Sequence, residues 1–428
     1  MKKAFFASIV GTLIEWFDFF LYAAAATLVI NEAFFPNVSP TVASIASLST
    51  FAVGFVARPL GAAIFGHFGD RIGRKRVLTI TLVMMGVATL VTGLLPTYSS
   101  IGIAAPIILV IIRFVQGVGV GGEYGGAVLM VFEHSRRDDR KGLFGSFPLA
   151  AASAGFLLAS ACLALINAVV TDEQFQSWGW RIPFVLSVLL LAFGYWIRRS
   201  VDESPEFEHA QETNKVTKLP MVEMFRDYPR QVLIATAMPI CIAVSYSLIM
   251  VYMVSYAAGQ GVDRGDLLVV TTIAQCLYIP LILTSGYLSD RIGRRAPMVV
   301  GMIGTGVWAF AFWPLISTGS SGLIFLGVAV ALAFASATYG PQAAFQAELF
   351  PLHVRYSGVT FGYQLAQAIA GGLSPVLAVT LMAGFGTWVP IAIVTAIAAA
   401  ISLSALWLSR NSMAATEAGS LSVVNARE

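Results

Sequence analysis

Charged side chains are scarce in this sequence: Asp, Glu, Lys and Arg make up only 11% of its 428 residues, while hydrophobic residues make up 57%. A soluble globular protein needs more polar surface than this composition supplies, so that class is excluded. Cysteine is equally rare. Cys162, Cys241 and Cys276 lie far apart in apolar segments, so we expect neither a disulfide framework nor a metal site, and no cofactor.

Long apolar runs follow one another almost without a gap. A helix needs about 20 apolar residues to cross a hydrocarbon layer of roughly 30 Å. The sequence therefore predicts an all-α, multi-pass protein of the cell membrane with twelve spans. They are Ala4–Ile30, Thr41–Phe65, Val77–Leu95, Ile101–Val131, Gly142–Val170, Ile182–Ile197, Val232–Ala257, Leu267–Leu288, Met298–Ile316, Gly322–Ala347, Gly358–Ala383 and Trp388–Leu408.

Basic residues are unevenly distributed between the two sets of loops. Most of the 26 Lys and Arg lie at the N-terminus, in alternate loops and in the tail, whereas the opposite loops hold only Arg181 and Arg264. Cytoplasmic loops of membrane proteins collect Lys and Arg. Both termini are therefore predicted to be cytoplasmic.

One long polar segment, residues 198–230, divides six predicted spans from six. It predicts a first half (residues 1–199), a linker (200–230), a second half (231–410) and a short tail (411–428). The two halves repeat a motif: GHFGDRIGRKR at 66–76 nearly recurs 220 residues later as GYLSDRIGRRA at 286–296. Internal repeats of this kind are typical of secondary transporters, whose substrate site lies between the halves near the bilayer midplane.

The repeated motif has two interpretations. Its basic residues hold a loop outside the lipid, and Gly73 and Gly293 let the backbone turn. An anchor needs no carboxylate, however, whereas a conformational latch would place Asp70 and Asp290 against a helix N-terminus or an arginine of a neighbouring span. The candidate latch residues are Gly66, Asp70, Arg71, Gly73, Arg74, Asp290, Arg291 and Arg294.

Five charged residues lie inside the spans of the first half, where each is costly and hence a functional candidate: Glu15, Asp18, Arg58, Arg113 and Glu123. Two positive and three negative charges leave one carboxylate unmatched, and an unmatched buried carboxylate is suited to carry a proton. We expect Asp18 or Glu15 in that role, with Arg113 as counter-charge and Glu123 in the same network. The alternative is a permanent set of ion pairs that only holds helices together.

Substrate recognition is predicted to draw on arginine, tyrosine and glutamine side chains within the spans. Arg58 either binds a substrate carboxylate or pairs permanently with Glu123. The second half has no charge well inside any span, so its neutral polar residues are assigned to the solute, although a buried glutamine also joins helices. The candidates are Arg58, Tyr22, Gln116, Gln275, Tyr339, Gln342, Gln346, Tyr363, Gln364 and Gln367.

The segment GVGVGG at 117–122 fits the G-x-G-x-x-G pattern of dinucleotide-binding loops. That fingerprint requires a preceding strand and a βαβ unit, whereas this segment lies inside an apolar span. Small residues at such density instead predict close contact between span four and its neighbours.

The motif G-x-x-x-D-R-x-G-R-[RK] after span two, with its copy after span eight, resembles the signature of the major facilitator superfamily. IEWFDFFLY at 14–22, RFVQGVGVGGEYGG at 113–126, DESPEF at 202–207 and ELFPLHVRYSG at 348–358 are similar to its metabolite:proton symporter family, which includes shikimate, α-ketoglutarate, citrate and proline/betaine carriers. The resemblance implies two six-helix bundles. It also implies a role in proton coupling for Arg113, which stands in an R-x-x-Q-G motif.

These observations predict a proton-driven symporter, not an enzyme, that takes up a small polar metabolite, such as shikimate or another mono- or dicarboxylate, by alternating access. A proline/betaine symporter and a proton-coupled exporter are the alternatives. Many exporters have a G-x-x-x-G-P-x-x-G-G pattern in span five, which the segment FGSFPLAAASAGFLLAS lacks. The expected partners are the solute, the proton and the lipid bilayer, with no nucleic acid, and the protein is expected to be a monomer.

Overall fold

The computed structural model describes residues 2–37, 40–134, 140–201 and 219–410. Within these ranges the regular structure is helical, and twelve helices coincide with the predicted spans. The first six are α1 (Lys2–Ala25), α2 (Pro40–Ile72), α3 (Arg74–Leu94), α4 (Ala104–His134), α5 (Lys141–Val169) and α6 (Arg181–Arg199). The second six are α7 (Pro229–Gly259), α8 (Arg264–Ile292), α9 (Arg295–Ser317), α10 (Ser321–Glu348), α11 (Arg355–Ala366, continuing through Ser374–Phe385) and α12 (Val389–Leu408).

Helices form here because a bilayer offers no water to satisfy backbone N–H and C=O groups, and a helix satisfies them internally. Among the described residues, eleven helices are long and apolar enough to span a membrane. Helix α2 lies at the second predicted span. Large apolar side chains such as Val307, Phe385 and Trp407 are exposed on the outer surface, as expected of residues that face lipid.

Helix packing positions a central space between the two halves. Within the first half, α2 packs against α4 and α1 against α5; within the second, α10 packs against α8 and α9. Across the halves, α2 contacts α11 and α5 contacts α8. These two crossings join equivalent helices of the repeat, so the halves meet through a symmetric pair of contacts.

Helices α7 and α11 each contain a π-helical turn, Leu248–Tyr252 and Gln367–Gly371. The two turns lie side by side, since the Ser247 hydroxyl donates to the Gly371 carbonyl at 2.8 Å. π-Helical turns occur often at functional sites because they redirect side chains.

The glycines of span four allow close contact with α2, as the sequence predicts. A Cβ on Gly117 would overlap the Gly54 carbonyl, and a Cβ on Gly61 would overlap the Val118 carbonyl. The G-x-G-x-x-G pattern therefore serves helix packing.

The linker contains one described helix, Pro220–Asp227, which packs against α2 and α11. It is fixed by a 2.9 Å contact between Glu223 Oε1 and His353 Nε2. Residues 202–218 of the predicted linker, residues 135–139 of the loop after α4 and the predicted tail 411–428 lie outside the described residues.

Gly61→Val tests the α2–α4 contact. Overpacking of a tightly packed interior costs about 1–3 kcal/mol, so we expect a clear fall in the thermal unfolding midpoint of the protein in detergent. Gly384→Val is the matched control, since Gly384 lies in an exposed helical position with nothing within 4 Å of an added Cβ. Equal midpoints for the two variants would contradict the packing.

Candidate functional site

The two repeated DRIGR segments lie at one end of the helix bundle, which we call the DRIGR face (residues 66–76 and 286–296). There Asp70, at the end of α2, crosses to the first turn of α11. It accepts hydrogen bonds from Tyr356 N at 3.2 Å, Ser357 N at 2.9 Å and Ser357 Oγ at 2.8 Å. The first-turn N–H groups of a helix lack intrahelical partners and favour a negative charge. Asp70 thus joins the first half to the second.

Asp290 makes the equivalent contact in the opposite direction. At the end of α8 it accepts from Gly142 N at 2.8 Å and Leu143 N at 2.9 Å in the first turn of α5. It also pairs with Arg294, which reaches Glu348 at the end of α10 at 3.5 Å. Each half therefore presents a carboxylate to a helix N-terminus of the other half.

Glycines make these contacts possible. Gly73 and Gly293 have φ of 99° and 86°, a conformation that glycine adopts readily and that ends α2 and α8. A Cβ on Gly66 would come within 3.1 Å of Ser357 Cα, and one on Gly69 within 2.9 Å of the Tyr356 ring. The Asp70 contact therefore depends on small residues one turn before it.

The basic residues of the motif divide into two groups. Arg74 is buried beside Asp70, and Arg294 pairs with Asp290. Arg71 and Arg291 are exposed and contact their own helices, Arg71 at His67 and Arg291 over the Tyr287 ring. The structure does not bring these two into the contact between the halves, because they lie on the outer side of the helix end.

Deeper in the bundle than Asp70 and Asp290, which we call the DRIGR carboxylates, α4 is hydrogen-bonded to α10 and α11. Gln364 Nε2 donates to the Val120 carbonyl at 3.0 Å, and the Tyr124 hydroxyl donates to Gln346 Oε1 at 2.8 Å. The rings of Tyr124 and Tyr363 are stacked with centroids 3.5 Å apart. We call these contacts the inner seal.

The inner seal includes three of the residues predicted to bind substrate. Gln342, Gln346 and Gln364 point to Tyr124, to backbone carbonyls or to both, and Gln346 also donates to the Ala235 carbonyl at 3.2 Å. They join helices, as the alternative interpretation of buried glutamines states.

A cavity of about 270 Å³ lies between the halves. The cavity lies between the middle of the helices and the end of the bundle opposite the DRIGR face. None of the described residues that line it is charged. Its aromatic lining comprises Trp16, Phe19, Phe20, Phe55, Tyr246, Tyr252, Tyr278, Tyr339 and Tyr363. This size and lining suit a small metabolite.

The cavity contains some of the predicted substrate residues. Tyr339, Tyr363 and Gln367 line it, and Gln275 lies behind it, bonded to Tyr246. Sequence reasoning missed the aromatic residues of α1, although Trp16, Phe19, Phe20 and Ala23 follow an i, i+3, i+4, i+7 pattern that marks a shared helix face.

Tyr22 and Gln116 are placed away from the cavity. The Tyr22 hydroxyl is bonded to Thr50, and the Arg113 guanidinium lies over its ring with the carbon 3.5 Å from the centroid. Gln116 Nε2 donates to Thr89 Oγ1 at 2.9 Å. In this structure both side chains contact other protein groups, and their role in substrate binding stays a prediction.

Arg58 lies just below the cavity floor. Its guanidinium carbon is 4.3 Å from the Phe55 centroid and 5.2 Å from that of Phe19, and both rings line the cavity. Arg58 and Glu15 share two small cavities, one of which also touches Tyr339 and Tyr363. Arg58 and Glu15 are thus separated from the solute space only by side chains.

Glu123 pairs with Arg198, not with Arg58. Arg198 reaches from the end of α6 to the Glu123 carboxylate and the Leu78 carbonyl, and Thr81 Oγ1 donates to Glu123 Oε2 at 2.9 Å. The proposed Arg58–Glu123 pair is wrong. The charge count is also corrected, since Arg198 adds a further buried cation to Arg58 and Arg113 and satisfies Glu123 structurally.

Asp18 is buried, and no ion pair to it is found among the described residues. Thr89 Oγ1 donates to Asp18 Oδ2 at 2.8 Å, while Oδ1 has no hydrogen-bond partner among the described residues. The Arg113 Nε and Nη2 atoms likewise have no hydrogen-bond partner within that part of the chain. Arg113 is therefore not bound to Asp18 here, and both groups remain available for a different arrangement.

The family described as Major Facilitator Superfamily matches residues 8–355 and again residues 236–421. The chain belongs to this superfamily. It is a multi-pass membrane transporter of metabolites.

Several characterised or named relatives cover nearly the whole chain. The inner membrane metabolite transport protein YhjE of Escherichia coli is 39% identical over 90% of this chain and 89% of its own. The E. coli shikimate transporter is 38% identical over 92% and 90%, and the E. coli proline/betaine transporter is 35% identical over 89% and 78%. The proton:xylose symporter XylE, at 17% identity, shares the fold with a TM-score of 0.73 over 95% of this chain and 94% of its own.

The Glu123–Arg198 pair is tested by single and double substitution. Glu123→Gln or Arg198→Gln alone strands a buried charge, which costs about 3–5 kcal/mol, and each should lower the thermal midpoint sharply. The double variant strands no charge and should recover most of the stability and of the accumulative uptake. A stable double variant that has lost accumulation would show that Glu123 carries the proton.

The DRIGR carboxylates are tested by Asp70→Asn and Asp290→Asn. Hydrogen bonds to a charged group are worth about 1.5–3 kcal/mol, so loss of one shifts the closed-to-open equilibrium at least tenfold. Initial uptake rates should fall more for Asp70→Asn, because Asp70 accepts three hydrogen bonds from the other half of the molecule and Asp290 accepts two. The control is the exposed Asp227→Asn; equal and negligible effects would leave the motif a basic anchor.

Proposed function

We propose that this protein is a proton-coupled symporter for a small organic acid such as shikimate, working by alternating access. The observation that carries the proposal is the position of Asp18. This buried, unpaired carboxylate lies on α1 between Trp16 and Phe19, which line the cavity. Coupling requires a proton site close to the solute site, and Asp18 neighbours two lining residues along the chain.

The hydrogen bonds around Asp18 indicate where a proton would reside. Thr89 Oγ1 accepts from Gln116 and has a single hydrogen, which it donates to Asp18 Oδ2. A proton on Asp18 therefore occupies Oδ1, the unpartnered oxygen. When the proton leaves, the carboxylate attracts the free nitrogens of Arg113, so proton and guanidinium compete for one group.

Two closed layers support alternating access. The DRIGR carboxylates and the inner seal close one end, while the cavity lies toward the other. With cytoplasmic termini, the closed end faces the cytoplasm. Release of solute there requires that the Asp70 and Asp290 contacts and the Tyr124–Tyr363 stack separate.

The organic acid is favoured by the shikimate transporter among the relatives and by Arg58 beneath the cavity floor. A betaine is the second candidate. Aromatic side chains attract quaternary ammonium groups through their π faces, and a proline/betaine transporter is also a relative.

The coupling test is uptake of labelled shikimate into energised vesicles. Accumulation should collapse when an uncoupler removes the proton gradient, and Asp18→Asn should abolish accumulation while retaining exchange of labelled for unlabelled solute, because the amide imitates the protonated acid. Asp227→Asn is the control. Uptake that is indifferent to the uncoupler, or full accumulation by Asp18→Asn, would contradict the proposal.

A further inference from the structure

Two tyrosines on the α7–α8 wall of the cavity have hydroxyl hydrogens for which no acceptor is found among the described residues. Tyr246 and Tyr278 both line the cavity, with ring centroids 6.0 Å apart and an interplanar angle of 26°. Both side chains thus extend side by side toward the same space.

The hydroxyl of Tyr246 is oriented by Gln275. Gln275 Nε2 lies 2.8 Å from Tyr246 Oη and 3.0 Å from Met250 Sδ. A thioether sulfur accepts hydrogen bonds but donates none, so the amide atom between these neighbours is the nitrogen. Tyr246 Oη is then an acceptor from Gln275, and its own hydrogen is free for a ligand.

Tyr278 contributes a second free hydrogen. Its side chain is 1% exposed, and its hydroxyl has no hydrogen-bond partner among the described residues. A buried polar group without a partner costs free energy that a ligand acceptor would recover. Gln275 is itself fully buried, so the arrangement is held by packing.

We propose that Tyr246 and Tyr278 form a carboxylate subsite and that Gln275 is a positioning residue which turns the Tyr246 hydroxyl into a donor. A carboxylate is an acceptor-only group, and O–H···O⁻ bonds are about twice as strong as neutral ones. No acidic side chain lines the cavity to repel it. This inference rests on the proposed function and assigns acid recognition to uncharged hydroxyls, with Arg58 outside the lining.

The experiment measures binding of shikimate and of its uncharged methyl ester to the purified full-length protein. Tyr246→Phe and Tyr278→Phe should each weaken shikimate binding at least tenfold, since a hydrogen bond to a charged group is lost, and should change ester binding less than about threefold. Gln275→Leu should reproduce the pattern of Tyr246→Phe. Tyr256→Phe is the matched control, because its hydroxyl bonds Ser317 at 2.8 Å outside the lining.

The acid-to-ester ratio separates recognition from a merely structural role, since a misfolded site loses both ligands together. Equal losses for acid and ester, or unchanged acid binding by both Phe variants, would overturn the subsite while leaving proton-coupled acid uptake intact. A wild-type protein that binds glycine betaine and neither form of shikimate would overturn the proposed acid substrate and the subsite together.

Discussion

The architecture depends on a carboxylate placed at the N-terminus of a helix from the other half of the molecule. Asp70 holds α11 and Asp290 holds α5, each through first-turn N–H groups that have no partner within their own helix. Because the two contacts are related by the internal repeat, they close one end of the bundle symmetrically. Such contacts are electrostatic and local, and the proposed alternating access requires that they break as the halves move apart.

The two halves bury different kinds of polar side chain, charged in the first half and neutral in the second. Among the described residues, the charged side chains buried between the helices away from the DRIGR face lie in the first half, where Asp18 and Arg113 remain without a mutual ion pair. The second half contributes tyrosine and glutamine to the cavity. In the proposed mechanism, the first half changes its protonation while the second half provides a hydrogen-bonding surface for the solute.

The sequence predicts the spans, the repeat and the glycine contacts, because apolar length and small-residue spacing are local properties of a chain. It does not predict that Gln367 lines the cavity whereas Gln364 donates to the Val120 carbonyl, because the residue type alone does not determine the hydrogen-bond partner. Arg198 was missed because it lies at the polar end of α6, and only packing shows that its side chain turns inward to Glu123.

The central claim is that the DRIGR face and the opposite face open alternately. Spin labels in a cysteine-free background, at the exposed positions Arg71 and Arg291 on the DRIGR face and at Ser99 and Thr318 on the opposite face, report both distances by electron double resonance. Addition of Asp70→Asn and Asp290→Asn should lengthen the first distance and shorten the second. Distances that stay unchanged in both pairs would contradict the account.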